Sequence, residues 1–84
     1  MTRYEVILTD SARRDLARLD PSVARRILAR LEDLREDPLR KLGRLVNSPL
    51  YRLRVGDWRV IVEVNQREVR VLVIKVAHRR SIYR

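Results

Sequence analysis

The second half of this chain is crowded with side chains that can hold an anion. Arg52, Arg54 and Arg59 fall within eight residues, and His78, Arg79, Arg80, Tyr83 and Arg84 crowd the last seven. A guanidinium is permanently charged, and its planar fork donates two parallel hydrogen bonds to a phosphate. For the same reason it is a poor proton acceptor, so a set of arginines suits charge stabilisation better than acid–base work. His78 carries an imidazole, the side chain type suited to acid–base work near neutral pH, and Tyr83 a phenol able to stack on a base or orient a nucleophile. Each residue alone has an ordinary structural reading: a solvated charge for an arginine, a strand-end polar group for His78, an edge aromatic for Tyr83. Only convergence on one patch makes them a site, so the question passes to the elements that carry them.

The 84 residues are expected to form one domain, 1–84. There is no cysteine and one histidine, so neither a disulfide nor a metal site is expected, and no cofactor is called for. The opening MTRYEVILTD does not read as a signal peptide, and no apolar run approaches membrane-spanning length. The expectation is a soluble, cytoplasmic protein with no membrane partner. The net charge of +9 points to an anionic partner, and its distribution is uneven. Residues 1–40 carry 9 Lys/Arg and 8 Asp/Glu, whereas residues 41–84 carry 11 and 3. Of the 20 basic residues 18 are arginine, the exceptions being Lys41 and Lys75. Compositional bias accounts for the ratio but not for the clustering.

Tyr4–Leu8 is a short β-prone run, followed by Thr9, Asp10 and Ser11 as N-cap side chains. Ala12, Leu16 and Leu19 then fall at helical spacing, and Asp20-Pro21 restarts the pattern for Val23, Ile27, Leu31 and Leu34. This second helix is expected to run to about Asp37 and to stop at Pro38, with Leu39–Pro49 a loop. The period then changes from 3.6 to 2, predicting strands at Leu50–Val55, Trp58–Val64 and Glu68–Ala77. The expected order is β-α-α-β-β-β, an α+β fold with a two-helix hairpin on one face of an antiparallel sheet.

Taking Gly56-Asp57 as a two-residue turn pairs Val55 with Trp58, Leu53 with Val60 and Tyr51 with Val62. Continuing the pattern pairs Val64 with Val69, Val62 with Val71 and Val60 with Val73. That face is apolar and must lie beneath the helices. The other face then carries Arg52 and Arg54, with Arg54 directly opposite Arg59. Like charges opposed across strands repel, so stability alone does not account for them. Ile61, Leu72, Ile74 and Val76 are expected on this face too, with a Glu63–Arg70 ion pair, and His78 by the same parity.

These residues resemble a known family. YRLRVGDWRVIVEV, residues 51–64, is similar to the YRLRVGDYRVIYEI signature of RelE/ParE-type toxins. VAHRRSIYR, residues 76–84, is similar to that family's closing G-H-R-x-x-x-Y segment, and the two opening helices match as well. The resemblance implies the β-α-α-β-β-β fold and a toxin of a type II toxin–antitoxin pair, neutralised by a cognate antitoxin with an acidic or amphipathic helix. RelE-type members cleave mRNA in the ribosomal A site, and ParE-type members inhibit DNA gyrase. Carried over by position, the RelE-type site places Arg52, Arg54, Arg59, Arg79 and Tyr83 in catalysis, with Arg80 and Arg84 as further RNA-binding residues. The chain departs from that pattern where Arg52 and Arg54 replace two lysines of the best-known RelE branch. It departs again at Ala77, where the family has glycine, and at Tyr83, which stands closer to Arg79.

Cleavage by 2′-hydroxyl attack needs a proton acceptor, a stabiliser of the phosphorane and a proton donor for the 5′-oxygen. Arg54, Arg59 and Arg79 suit the second task, and Arg52 and Arg54 the holding of the phosphate. His78 is a possible general base or acid, and the base is otherwise unassigned. The expectation is a ribosome-dependent endoribonuclease, an mRNA interferase that inhibits translation. The alternatives are a ParE-like gyrase inhibitor without nuclease activity, a non-catalytic RNA-binding module, and an inactive toxin.

Overall fold

The computed structural model describes residues 2–82. In chain order the elements are β1 (Glu5–Leu8), α1 (Asp10–Ala17), α2 (Pro21–Asp33), α3 (Pro38–Lys41), β2 (Gly43–Arg44), β3 (Tyr51–Val55), β4 (Trp58–Asn65), β5 (Arg70–His78) and α4 (Arg79–Ile82). The strands form one sheet in the order β1-β5-β4-β3-β2. The sheet is mixed where an antiparallel one was expected: β1 runs parallel to β5, because the chain returns to it only after the helices and the meander, and every other neighbouring pair is antiparallel. The α+β arrangement follows from the change of hydrophobic period along the chain, and α1 and α2 cover one face as expected.

The helix starts are set by the residues the sequence offers. Thr9 accepts from the Ala12 amide at 3.1 Å and caps α1, whose Ala12 and Leu16 are buried. Asp20 caps α2 by accepting from the amide and hydroxyl of Ser22 at 2.9 and 2.8 Å, with Pro21 at the first helical position. Those bonds, the hydroxyl's foremost, hold the Asp20 carboxyl below the ordinary aspartate value. Ile27, Leu31 and Leu34 turn inward onto Leu53, Val55, Val60, Val62, Val71, Val73 and Val76 of the sheet, and this cluster is the core.

Three expectations about the elements need correction. α2 ends at Asp33, short of Asp37: the amides of Leu34 and Arg35 bond back three residues, to the Leu31 and Glu32 carbonyls, and Asp37 turns left-handed (φ 52°) ahead of Pro38. Pro38 starts α3 rather than terminating α2, and the Lys41 ammonium donates to the Asp33 carbonyl at 2.7 Å, satisfying an end carbonyl of α2. The 39–49 segment therefore holds a helical turn and a two-residue edge strand, β2, where only a loop was expected.

The β4–β5 hairpin also differs in register. Val64 pairs with Val71 and Val62 with Val73, two residues further along β5 than expected. Asn65 accepts from the Glu68 amide at 2.9 Å, so its side chain builds a longer turn than the backbone pattern announces. Val69 closes that turn with φ 58°, a conformation a β-branched residue seldom adopts. Beyond Val62 a bulge at Ile74 resets the pairing to Ile61 with Lys75, Val60 with Val76 and Trp58 with His78. Val76 consequently lies on the helix face, buried, and not with Ile61 and Leu72. The bulge is held from α1's side: Thr9 donates its hydroxyl to the Val73 carbonyl at 2.8 Å, and the Asp15 carboxylate accepts from the Val76 amide at 2.9 Å.

Among the described residues no helix is long and apolar enough to cross a membrane.

Candidate nucleic-acid interface

β3 and β4 are joined through Gly56, at φ 56°, and Asp57, and the pairing around this turn is the one the alternation predicts. Arg54 faces Arg59, and Arg52 faces Ile61, all on the side away from α1 and α2. The bulge adds Ala77 beside Arg59 and Lys75 beside Ile61. Two rows thus cross the sheet: Ala77, Arg59 and Arg54 in one; Lys75, Ile61, Arg52 and Gly43 in the next. Rows two residues apart on a strand are separated by about 7 Å, and adjacent strands by about 4.8 Å.

The arginines in these rows differ in environment. Arg54 is exposed and Arg52 half-buried, whereas Arg59 is only 5% exposed. Arg59 leans back over the turn, where its Nη1 donates to the carbonyls of Gly56 and Trp58, each at 2.9 Å. Arg52 leans the other way, over Gly43 of β2, where a Cβ would stand 2.9 Å from its Nη2. The Nε atoms of both Arg52 and Arg59 are buried with no hydrogen-bond partner. A buried donor left unpaired costs on the order of 1–3 kcal/mol, and more on a charged group.

Arg79 opens α4. Its amide donates to the Asp57 carbonyl at 2.8 Å, and its Nε stands 3.7 Å from the Asp57 carboxylate. The Gly56-Asp57 turn thereby brings the Arg59 and Arg79 side chains to the same end of the sheet. Sequence reasoning missed a third arginine there. Arg26 reaches from α2 to the turn, where its Nη2 would lie 3.3 Å from a Cβ placed on Gly56. Nothing in the helical pattern separates Arg26 from its exposed neighbours Arg25 and Arg30. Lys75 was missed because only the bulge turns it to this face.

His78 is a correction. It pairs with Trp58 across the helix face, with the two rings edge to face at 5.4 Å and 82°, and its Nδ1 accepts from the Arg80 amide at 3.2 Å. The extra residue at Ile74 flips the parity that was to bring it to Arg54 and Arg59. The expected Glu63–Arg70 pair is also absent: Arg70 stands by Glu5 and Glu68, at 3.6 and 3.2 Å, and Glu63 faces Leu72. Arg80 is exposed on α4, while Tyr83 and Arg84 lie outside the described residues.

The carboxylates gather elsewhere. A cleft of about 420 Å³ lined by Thr2, Tyr4, Glu36, Asp37 and Lys41 lies toward the start of β1, at the opposite end of β5 from Arg79.

Five strands with α1 and α2 on one face and Arg52, Arg54 and Arg59 on the other form the arrangement expected of a RelE/ParE-type toxin. Residues 6–83 match the family described as the ParE toxin of the type II toxin–antitoxin system parDE, and the chain belongs to that family. It is 32% identical to Toxin RelG of Mycobacterium tuberculosis over 85 aligned positions, covering 96% of this chain and 97% of that one. Among solved structures it resembles the toxin–antitoxin complex RelBE2 of the same organism, with a TM-score of 0.83 and 28% identity over 90% of this chain and 98% of that one. It also resembles the archaeal RelE–RelB complex of Pyrococcus horikoshii, with a TM-score of 0.80 and 29% identity over 94% and 97% of the two chains.

Proposed function

We propose that this toxin is a RelE-like, ribosome-dependent endoribonuclease that cleaves mRNA by attack of a 2′-hydroxyl on the adjacent phosphate. The observation that carries this reading is the register that gathers Arg52, Arg54 and Arg59 on the sheet face away from α1 and α2, with Arg54 directly opposite Arg59. In the reaction the 2′-oxygen bonds to phosphorus and the P–O5′ bond breaks. The products are a 2′,3′-cyclic phosphate and a 5′-hydroxyl; the 2′-oxygen loses a proton and the 5′-oxygen gains one. Arg52 and Arg54 hold the phosphate, and Arg59 and Arg79 stabilise the charge that builds on its equatorial oxygens. Tyr83 orients the nucleophile, and Arg80 and Arg84 extend the RNA contact. His78, turned to Trp58, is left out of proton transfer. Fixed cations that act by charge suit a reaction in which the ribosome aligns the mRNA in-line.

The similar solved structures are toxin–antitoxin complexes, which supports a cognate antitoxin as partner. With a net charge of +9 on the toxin, an acidic or amphipathic antitoxin segment fits best. A ribosomal target places the protein in the cytoplasm.

A second reading has one specific observation in its favour: the matching family is the ParE toxin, and ParE-type members inhibit DNA gyrase. Two assays on the purified toxin separate them. Primer extension on translating ribosomes should show cuts within codons that fade in Arg59→Ala and Arg79→Ala, with gyrase supercoiling unaffected. Blocked supercoiling with intact mRNA establishes the gyrase reading instead. Neither effect, with RNA still bound, leaves a binding module or an inactive toxin.

A further inference from the structure

We infer that Lys75 is a further phosphate-binding residue of the sheet face, turned onto it by the β5 bulge. The inference rests on the RNA-directed reading above. Val71 and Val73 point to the helices, and strict alternation would send Lys75 after them into the core. The bulge at Ile74 prevents this: Lys75 instead pairs with Ile61, is exposed, and shares its row with Arg52. The displacement is built into the fold, since the Thr9 hydroxyl and the Asp15 carboxylate bind the Val73 carbonyl and Val76 amide on either side of it. Lys75 forms no ion pair among the described residues, although Glu63 stands on the same face.

The row has a defined shape. Ile61 is buried between the two cations, and Lys75 and Arg52 stand two strands apart, about 10 Å along the row. Arg59 and Arg54 border Ile61 in the next row. Cations border Ile61 on three sides, so an RNA strand crossing the row has successive phosphates held by different side chains. Lys75 takes the phosphate on the β5 side, and Arg52 the one on the β3 side. An ammonium on a flexible stem acts here as a point charge, so the role asks for charge and not for a proton.

The test is binding of a short single-stranded RNA carrying 2′-O-methyl groups, which cannot be cut, measured by fluorescence anisotropy across a salt series. Lys75→Ala should weaken binding about tenfold at low salt and reduce the slope of log K against log salt by about 0.7. Lys75→Arg should bind as wild type, and so should Lys41→Ala, whose ammonium is engaged with Asp33. Arg52→Ala serves as the reference loss. If Lys75→Ala binds as wild type while Arg52→Ala is weakened, Lys75 is a solvated charge and the inference fails alone. If neither substitution weakens binding, the RNA-directed reading of the face fails with it. A loss in Lys75→Ala that Lys75→Arg does not restore also overturns the charge role.

Discussion

At the scale of single residues, the environment of each arginine differs more than its type suggests. Four guanidinium groups share one end of one sheet, yet Arg59 is buried and bonded to its own turn while Arg54 is exposed. The pairing of Arg54 with Arg59 was legible in the sequence, because alternation and a Gly-Asp turn fix it. The leaning of the side chains was not, because it depends on neighbours from distant segments. Gly43 is the example: it looks like an ordinary loop glycine, but Arg52 lies over it. Gly43→Ala should push that guanidinium aside and lower cleavage roughly tenfold or more. Its cost in stability should stay within about 0.5 kcal/mol, since the displaced atom is the far end of a flexible chain. Single-turnover cleavage beside urea denaturation checks both halves. An unaltered rate would show that the position of Arg52 is unimportant.

Asp20 makes a prediction about pH at the same scale. Its folded carboxyl lies below the ordinary aspartate value, so its stabilisation is present above the unfolded value and is lost as pH falls through the folded one. Asp20→Ala should therefore lower the urea midpoint at neutral pH. The difference from wild type should shrink as pH falls through the folded carboxyl's value. A difference that persists in acid would assign the effect to something other than the charged cap.

At the scale of elements, the first hairpin obeyed simple alternation and the second did not. Trp58–Val64 carries an unbroken apolar stripe with a turn signal before it, so β3 and β4 pair as the pattern demands. β5 departs in two places, and neither is written in hydrophobicity. Asn65 lengthens the turn through its side chain, and Asp15, far away in sequence, supplies the acceptor that lets a bulge form near Val76. The assignments of His78, Val76 and Lys75 all turned on that bulge. Asp15→Ala should cost about 1–2 kcal/mol, with Asp15→Asn close to wild type because its amide oxygen still accepts; urea denaturation measures both. Equal stability in all three would mean that Asp15 does not hold the bulge. Val69, strained at φ 58°, should respond in the opposite direction. Val69→Gly is expected to raise stability by about 1 kcal/mol, the relieved strain outweighing glycine's greater freedom in the unfolded chain. A lower urea midpoint would contradict that.

At the scale of the whole molecule, the excess of positive charge is local. Near the end of α2 the carboxylates of Glu32, Glu36 and Asp37 are matched by Arg35, Arg3 and Arg40, whereas Arg26, Arg54, Arg59 and Arg79 meet around Gly56-Asp57 with Asp57 beside Arg79. Such an excess orients the approach to a polyanion, with that end leading. The half-to-half asymmetry of the sequence hinted at this, but the contribution of Arg26 from the otherwise balanced first half did not show. The helices and the antiparallel meander, by contrast, followed from the order of periods, whereas the parallel seat of β1 beside β5 did not; membership of the toxin family gives the arrangement a biological setting.

The central claim is that guanidinium groups on the uncovered sheet face act on an RNA phosphate. The most direct measurement is single-turnover cleavage of mRNA in the ribosomal A site by wild type and by Arg52→Ala, Arg54→Ala and Arg59→Ala, each checked for folding by circular dichroism. The account predicts cutting by wild type and a loss of about a hundredfold or more for Arg59→Ala, with smaller losses for the other two. Folded variants that all cut at the wild-type rate would contradict it.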